Sequence, residues 1–323
     1  MIDKNSFYFV RRFLIFIFAV LASLNFTFGF KELICDSFND EWGPINQTLF
    51  TCHVENQFIN TDDISMASDL DNNITGIDFI SNTQVQLIPA DLSETFPSLV
   101  VVQFWTCSVK FIKESNFKGL TELLFINLGL NKIRHIEDGS FKDNTKLEYL
   151  WLGNNKLKYV SKNLFEPLYN LKELTLSDNG IRSIDALAFK SLINLENLEL
   201  DRNEIKFFDL KSFEKLVNLK NISMSFNQLN AVDDDLLINN KKLEFVWLDF
   251  NEITYINYKI FDGMQNLKSV DLIGNDCVNE AFGASSIGEI QTHLKENCAT
   301  LDQEAEEKRR SLEQKWTESC KLL

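Results

Sequence analysis

The sequence predicts an α/β repeat fold: a curved, horseshoe-like solenoid with a parallel β-sheet on its concave face and a mostly irregular or 3-10 convex face. Three observations predict it. One spacing pattern returns every 24 residues, each return centres on an apolar-x-apolar triplet, and cysteines stand on both sides of the array. The register is Leu-x-x-Leu-x-Leu-x-x-Asn-x-Leu, found at Leu123 with Asn131, Leu147 with Asn155, Leu171 with Asn179, Leu195 with Asn203, Leu219 with Asn227, Leu243 with Asn251 and Leu267 with Asn275. Seven successive returns at one register define a repeat rather than a coincidence. Upstream, Leu99 to Val109 fits with Cys107 in the Asn place, and Ile74 to Asn82 fits after a 25-residue step, so nine units span 74–276.

Each element of the unit has a physical task. In a Leu-x-Leu strand the two apolar side chains share one face and the residue between them points to the other, so every coil buries leucine against its neighbour. The Asn follows the strand where the chain turns, and its amide can satisfy backbone groups that a buried turn leaves unpaired. Six residues before each leading Leu comes an apolar plug, Phe117, Phe141, Phe165, Phe189, Phe213, Leu237 and Phe261. These read as a spine filling the convex side.

Ahead of the array, Lys4, Arg11 and Arg12 precede the apolar run from Phe13 to Ala22, and eight of the 28 phenylalanines fall in the first thirty residues. A basic start, a short apolar stretch and small residues at Ala22 or Gly29 predict a secretory signal peptide over 1–29. The alternative is an uncleaved anchor, but Ser23, Asn25 and Thr27 interrupt the run before the roughly 20 residues a spanning helix needs. The mature chain is therefore expected to be secreted and extracellular, with no stable membrane insertion.

The repeat, the Asn ladder and the Phe spine together resemble the extracellular, 24-residue class of leucine-rich repeat. A single coil cannot bury its own apolar face, so both ends of such a solenoid need caps. Cys35 and Cys52 lie in the segment 30–73, and Cys277 and Cys298 in 277–300, which are read as N- and C-terminal caps closed by Cys35–Cys52 and Cys277–Cys298 in an oxidising compartment. Vertebrate caps of this class carry four cysteines, and here each has two. Cys107 takes the ladder position as a small buried donor. Residues 301–323 form a charged segment without Gly or Pro that is expected to be a short helical tail, and its Cys320 is a candidate for an intermolecular disulfide that would make a dimer.

Composition excludes several functions. With 47 acidic against 32 basic residues the net charge is −15, and a leader of net +2 leaves −17 on the remainder, which argues against nucleic acid as a partner. His53, His135 and His293 lie far apart and outside any hydrolase or metal motif, so the chain reads as non-catalytic, with no cofactor and no metal.

The candidate site is the outward face of the sheet, a surface roughly 40 Å long at the usual strand spacing. The early units expose Trp105, Phe125, Leu130, Tyr149 and Trp151; the middle ones Glu173, Asp178, Glu199, Asp201 and Arg202; the late ones Phe226, Phe245, Trp247, Asp249 and Phe250. Two aromatic patches thus flank an acidic window, suited to a protein partner with basic groups. Sequons occur at Asn46, Asn73 and Asn221, and a glycan on Asn221 would shield the late patch and favour the early one.

The combination of leader, two-cysteine caps, 24-residue repeats and a tail ending in Cys resembles secreted insect leucine-rich-repeat immune proteins. That resemblance implies innate immune recognition or complement-like assembly. Two other readings remain open from the residues: a matrix or adhesion protein, and an inhibitor that wraps an extracellular enzyme.

Overall fold

The computed structural model describes residues 32–33, 36–42, 44–45, 47–54, 58–59, 65–66, 74–79, 84–90, 92–283 and 286–298. The chain divides into two compact units, Met1–Glu32 and Leu33–Leu323, and the repeats belong to the second. The signal segment, Cys35, Asn46, Asn73, Cys320 and the tail 301–323 lie outside the described residues.

Nine short parallel strands repeat along the array: Gly76–Phe79, Val101–Gln103, Phe125–Asn127, Tyr149–Trp151, Glu173–Thr175, Asn197–Glu199, Asn221–Ser223, Phe245–Trp247 and Ser269–Asp271. Each pairs with the next at a constant register, so that Ile126, Leu150, Leu174, Leu198, Ile222, Val246 and Val270 form one buried row. The chain is a leucine-rich-repeat solenoid in which each coil closes its apolar face against the next. A hairpin of Asp36–Trp42 and Gln47–Val54 extends the sheet at one end, Gln47–Val54 running parallel to Gly76–Phe79, and Ala281–Phe282 ends it antiparallel to Ser269–Asp271. Among the described residues this makes a twelve-stranded sheet.

The far side of the coils carries little regular structure, chiefly turns and two-residue ladders such as Tyr159–Val160 with Ser183–Ile184. Its filling is aromatic. Phe117 stacks on Phe141, and Phe165, Phe189 and Phe213 stack in succession at 6.0 and 6.2 Å between centroids, all of them buried. Leu237 and Phe261 continue the row. At the C-terminal end the helix Ile290–Asn297 buries Ile290 and Leu294, four residues apart on one face, and Cys298 just beyond it is bonded to Cys277 with their Cα atoms 5.1 Å apart. Cys52 is also disulfide-bonded and fully buried.

The ladder asparagines explain how a chain can turn sharply inside a core. Asn155 donates to the carbonyls of Leu128, Leu152 and Gly153 at 2.9, 3.0 and 3.2 Å and accepts from the Ile133 N–H at 3.0 Å. Asn131, Asn179, Asn203, Asn227, Asn251 and Asn275 repeat the arrangement. Cys107 stands in the same place with weaker contacts, its Sγ 3.8 Å from the Phe79 carbonyl, and burial pushes its thiol up to about 12. The residue before each ladder position is left-handed: Thr106, Leu130, Asn154, Asp178, Arg202, Phe226 and Phe250 have φ between 52° and 57°, and Gly274 has 72°. Non-glycine residues resist this conformation by roughly 1–2 kcal/mol, so the ladder hydrogen bonds must impose it.

One further column runs through positions that carry no consensus residue. The residue that precedes each strand from the fourth coil onward alternates in sign, Glu148, Lys172, Glu196, Lys220, Glu244 and Lys268, with ion pairs Lys172–Glu148 at 2.8 Å, Lys220–Glu196 at 2.7 Å and Lys268–Glu244 at 2.5 Å.

Candidate functional site on the concave sheet

The outward positions of the strands form two columns, and the structure separates what sequence alone grouped together. In the early patch Phe125 is 2% exposed, which corrects its assignment as an outward binding residue. It lies on the outward side but is covered: Leu49 of the N-terminal hairpin, Val101 and Phe125 form a second small core, with Ile45, Val100, Tyr149 and Trp151 packed on it. Gly76 permits this, because a Cβ there would stand 2.8 Å from Thr51 Oγ1 on the hairpin strand. The Trp151 ring meets Phe125 edge-on at 4.8 Å, and its indole N–H donates to Glu173 Oε1 at 2.7 Å. Tyr149 and Trp151 are thus half-buried fixtures of a local core, and Trp105 is the early aromatic that stands free, at 47% exposure.

The middle of the face is acidic and internally wired. Thr175 Oγ1 donates to Glu199 at 3.1 Å and Ser177 Oγ to Asp201 at 2.7 Å. Glu199 touches solvent, yet the flanking strands crowd its carboxyl, and this desolvation raises its pKa; Asp201 and Glu173 add to the rise, and the Thr175 hydroxyl opposes it. Asp178 and Asp201 each lie 3.9 Å from Arg202, a cation set into this window.

The late patch is open. Phe226 and Phe250, 40% and 50% exposed, stack at 4.6 Å, and the Arg202 guanidinium covers the outer face of Phe226 at 4.7 Å from its centroid. Gly274 closes the other end, where a Cβ would come within 2.8 Å of the Phe250 ring. All four residues occupy the left-handed position of successive coils, so reading every 24th residue from 202 reveals the stack. On the adjoining strand Phe245 and Trp247 lie parallel at 5.6 Å, half-buried, and the Trp247 indole N–H meets no acceptor among the described residues. Asp249 accepts a hydrogen bond from Ser225 Oγ beside them. Asn221 pairs in register with Phe245 and donates to Asn197 Oδ1 at 2.5 Å, which places its sequon on the concave face next to this patch. Among the described residues no group of His, Cys, Asp and Glu is placed to hold a metal ion.

Residues 97–157, 126–181 and 169–229 match the family model described as leucine rich repeat. Solved structures share the fold. A TLR13 chain in complex with ssRNA13 is 26% identical, with a TM-score of 0.52 over 62% of this chain and 32% of that one. A chain of the LRIM1/APL1C complex is 21% identical, with 0.57 over 77% and 52%. The Leptospira interrogans leucine-rich-repeat protein LIC12759 is 23% identical, with 0.57 over 71% and 55%. The present chain therefore spans between about a third and about half of the length of these proteins. No curated protein sequence matches it.

Proposed function

We propose that this chain is a secreted, non-catalytic recognition protein that binds an extracellular protein partner through the late half of its concave sheet. The observation that carries this reading is the contrast between the two aromatic patches. Around Trp151 the aromatics spend their surface and their hydrogen bond on the protein itself, whereas Phe226, Phe250 and Trp247 keep exposed ring and a free donor. Rigid aromatics beside an arginine are the usual anchors of protein interfaces. The acidic window of Glu173, Asp178, Glu199 and Asp201 next to them favours a partner with basic groups.

The TLR13 neighbour was solved with a single-stranded RNA. A polyanion is a poor occupant here, since it would meet carboxylates along the middle of the face and a chain of net charge −15. A role in extracellular immune recognition or complex assembly fits this surface, and the leader and capping cysteines fit secretion. The test is a pull-down from extracellular fluid with the tagged chain. A band captured by the wild type and by Trp151→Phe, but lost with Trp247→Ala and with Phe250→Ala, supports the reading; equal capture by all four overturns it.

A further inference from the structure

We infer that the edge where the chain enters the sheet is a self-complementary surface on which two copies of this protein pair about a two-fold axis. This edge adjoins the concave face, where Lys268 Nζ stands 5.7 Å from the centroid of the Phe245 ring, and Phe226 and Phe250 follow the far ends of their strands. Its first component is apolar. Tyr169, Ile193 and Val217 occupy the same place in three consecutive coils and are 44% to 48% exposed. Their backbone offers little competition for water: Asn194 and Asn218 donate to the carbonyls of Tyr169 and Ile193, both at 2.8 Å. A row of large apolar side chains beside satisfied backbone acceptors gains from being covered.

Three residues further along each coil runs the alternating column Glu148, Lys172, Glu196, Lys220, Glu244 and Lys268, which borders the apolar stripe. Exposed ion pairs contribute little binding strength, but they fix orientation and exclude wrong registers. The order of signs selects one geometry. With the axis between the coils of Glu196 and Lys220, Glu148 faces Lys268 of the second copy, Lys172 faces its Glu244, and Glu196 faces its Lys220, so every position meets its opposite. Ile193 then faces Val217 of the second copy, and Tyr169 faces its Lys241. An axis through the coil of Glu196 would instead set Glu against Glu and Lys against Lys throughout. The pattern thus fits an isologous contact with its axis between coils.

Sedimentation of the Cys320→Ser chain tests this without interference from a disulfide through that residue. The expected result is a reversible dimer that Val217→Glu abolishes and that Glu196→Lys or Lys220→Glu alone weakens by at least about tenfold, because each sets like charges together twice across the axis. Mixing the two charge variants in equal amounts restores a heterodimer, and Glu196→Lys/Lys220→Glu in one chain restores the homodimer. Circular dichroism and melting of each variant show that it is folded. A chain that stays monomeric up to about 100 μM, a range that captures weak association, overturns the inference. So does a dimer indifferent to these substitutions, an assembly larger than a dimer, or a mixture of charge variants that fails to pair.

Discussion

Trp151 donates its indole N–H to the Glu173 carboxylate at 2.7 Å across neighbouring strands, so the aromatic of the early patch and the first acid of the window hold each other in place. Glu173→Ala should cost about 1–2 kcal/mol by leaving that half-buried N–H unpaired. Trp151→Ala should cost more, roughly 2–3 kcal/mol, because it also uncovers Phe125; this lies below the range for a fully buried tryptophan. Trp247→Ala loses no hydrogen bond and should melt closer to the wild type while losing partner capture. Thermal melts of the three variants give the order.

The ladder predicts where a single side chain holds most. Asn155 is fully buried and satisfies four backbone groups. Asn155→Ala removes the acceptor of the Ile133 N–H, while Asn131, Asn179 and the Leu130 N–H still donate to the Leu128, Leu152 and Gly153 carbonyls, and should cost about 1–3 kcal/mol. Denaturant titration measures it, and a loss under about 1 kcal/mol would mean that the turn finds other partners.

Thr106 offers the opposite case. It is β-branched, left-handed at φ 57°, and its buried Oγ1 has no hydrogen-bond partner among the described residues. Thr106→Gly removes both penalties and should stabilise the protein by roughly 1 kcal/mol, after the extra chain entropy of glycine is subtracted. The same replacement at Phe250, which stacks on Phe226, should gain less because a ring contact is lost.

Glu199 makes a pH prediction. Desolvation raises its folded pKa above the ordinary carboxylate value, so the folded state holds the proton to higher pH than the unfolded chain does. Its contribution favours folding below the ordinary carboxylate range and is lost as pH rises through the raised folded pKa. Glu199→Gln should therefore gain stability relative to wild type at neutral pH, and the gain should shrink on acidification. Binding of a basic partner at the window should lower this pKa, so proton release on binding should appear only as the pH is brought down into the carboxylate range, which calorimetry in buffers of different ionisation enthalpy detects.

Cys107 should resist alkylation at about pH 8.5, where an ordinary thiol is half ionised, because its own pKa stands at about 12. Mass spectrometry before and after denaturation reads this directly, and labelling of the folded chain would contradict its burial.

The period, the ladder and the spine were legible in the sequence because each is a backbone demand answered by one residue type at one spacing. Asn155 and Phe189 could be assigned before any coordinates, since a turn that needs four partners and a coil that needs filling leave few alternatives. The burial of Phe125 was not legible. Its cover comes from Ile45 and Leu49, in a hairpin outside the repeat register, and from the missing side chain at Gly76. Alternation within a strand gives the side of the sheet, but not what lies over it. The alternating charges and the Arg202 to Gly274 stack could have been found by reading the columns that carry no consensus residue.

The alternation of Glu148 through Lys268 also bears on how such an array can grow or shrink. Deleting or inserting one 24-residue coil would keep the sheet, the ladder and the spine in register, yet it would bring two like charges side by side at the junction. Deleting or inserting two coils would restore the order of signs. By this column an internal change of two coils preserves the ion pairs, and an engineered two-coil deletion should therefore melt higher than the one-coil deletion beside it.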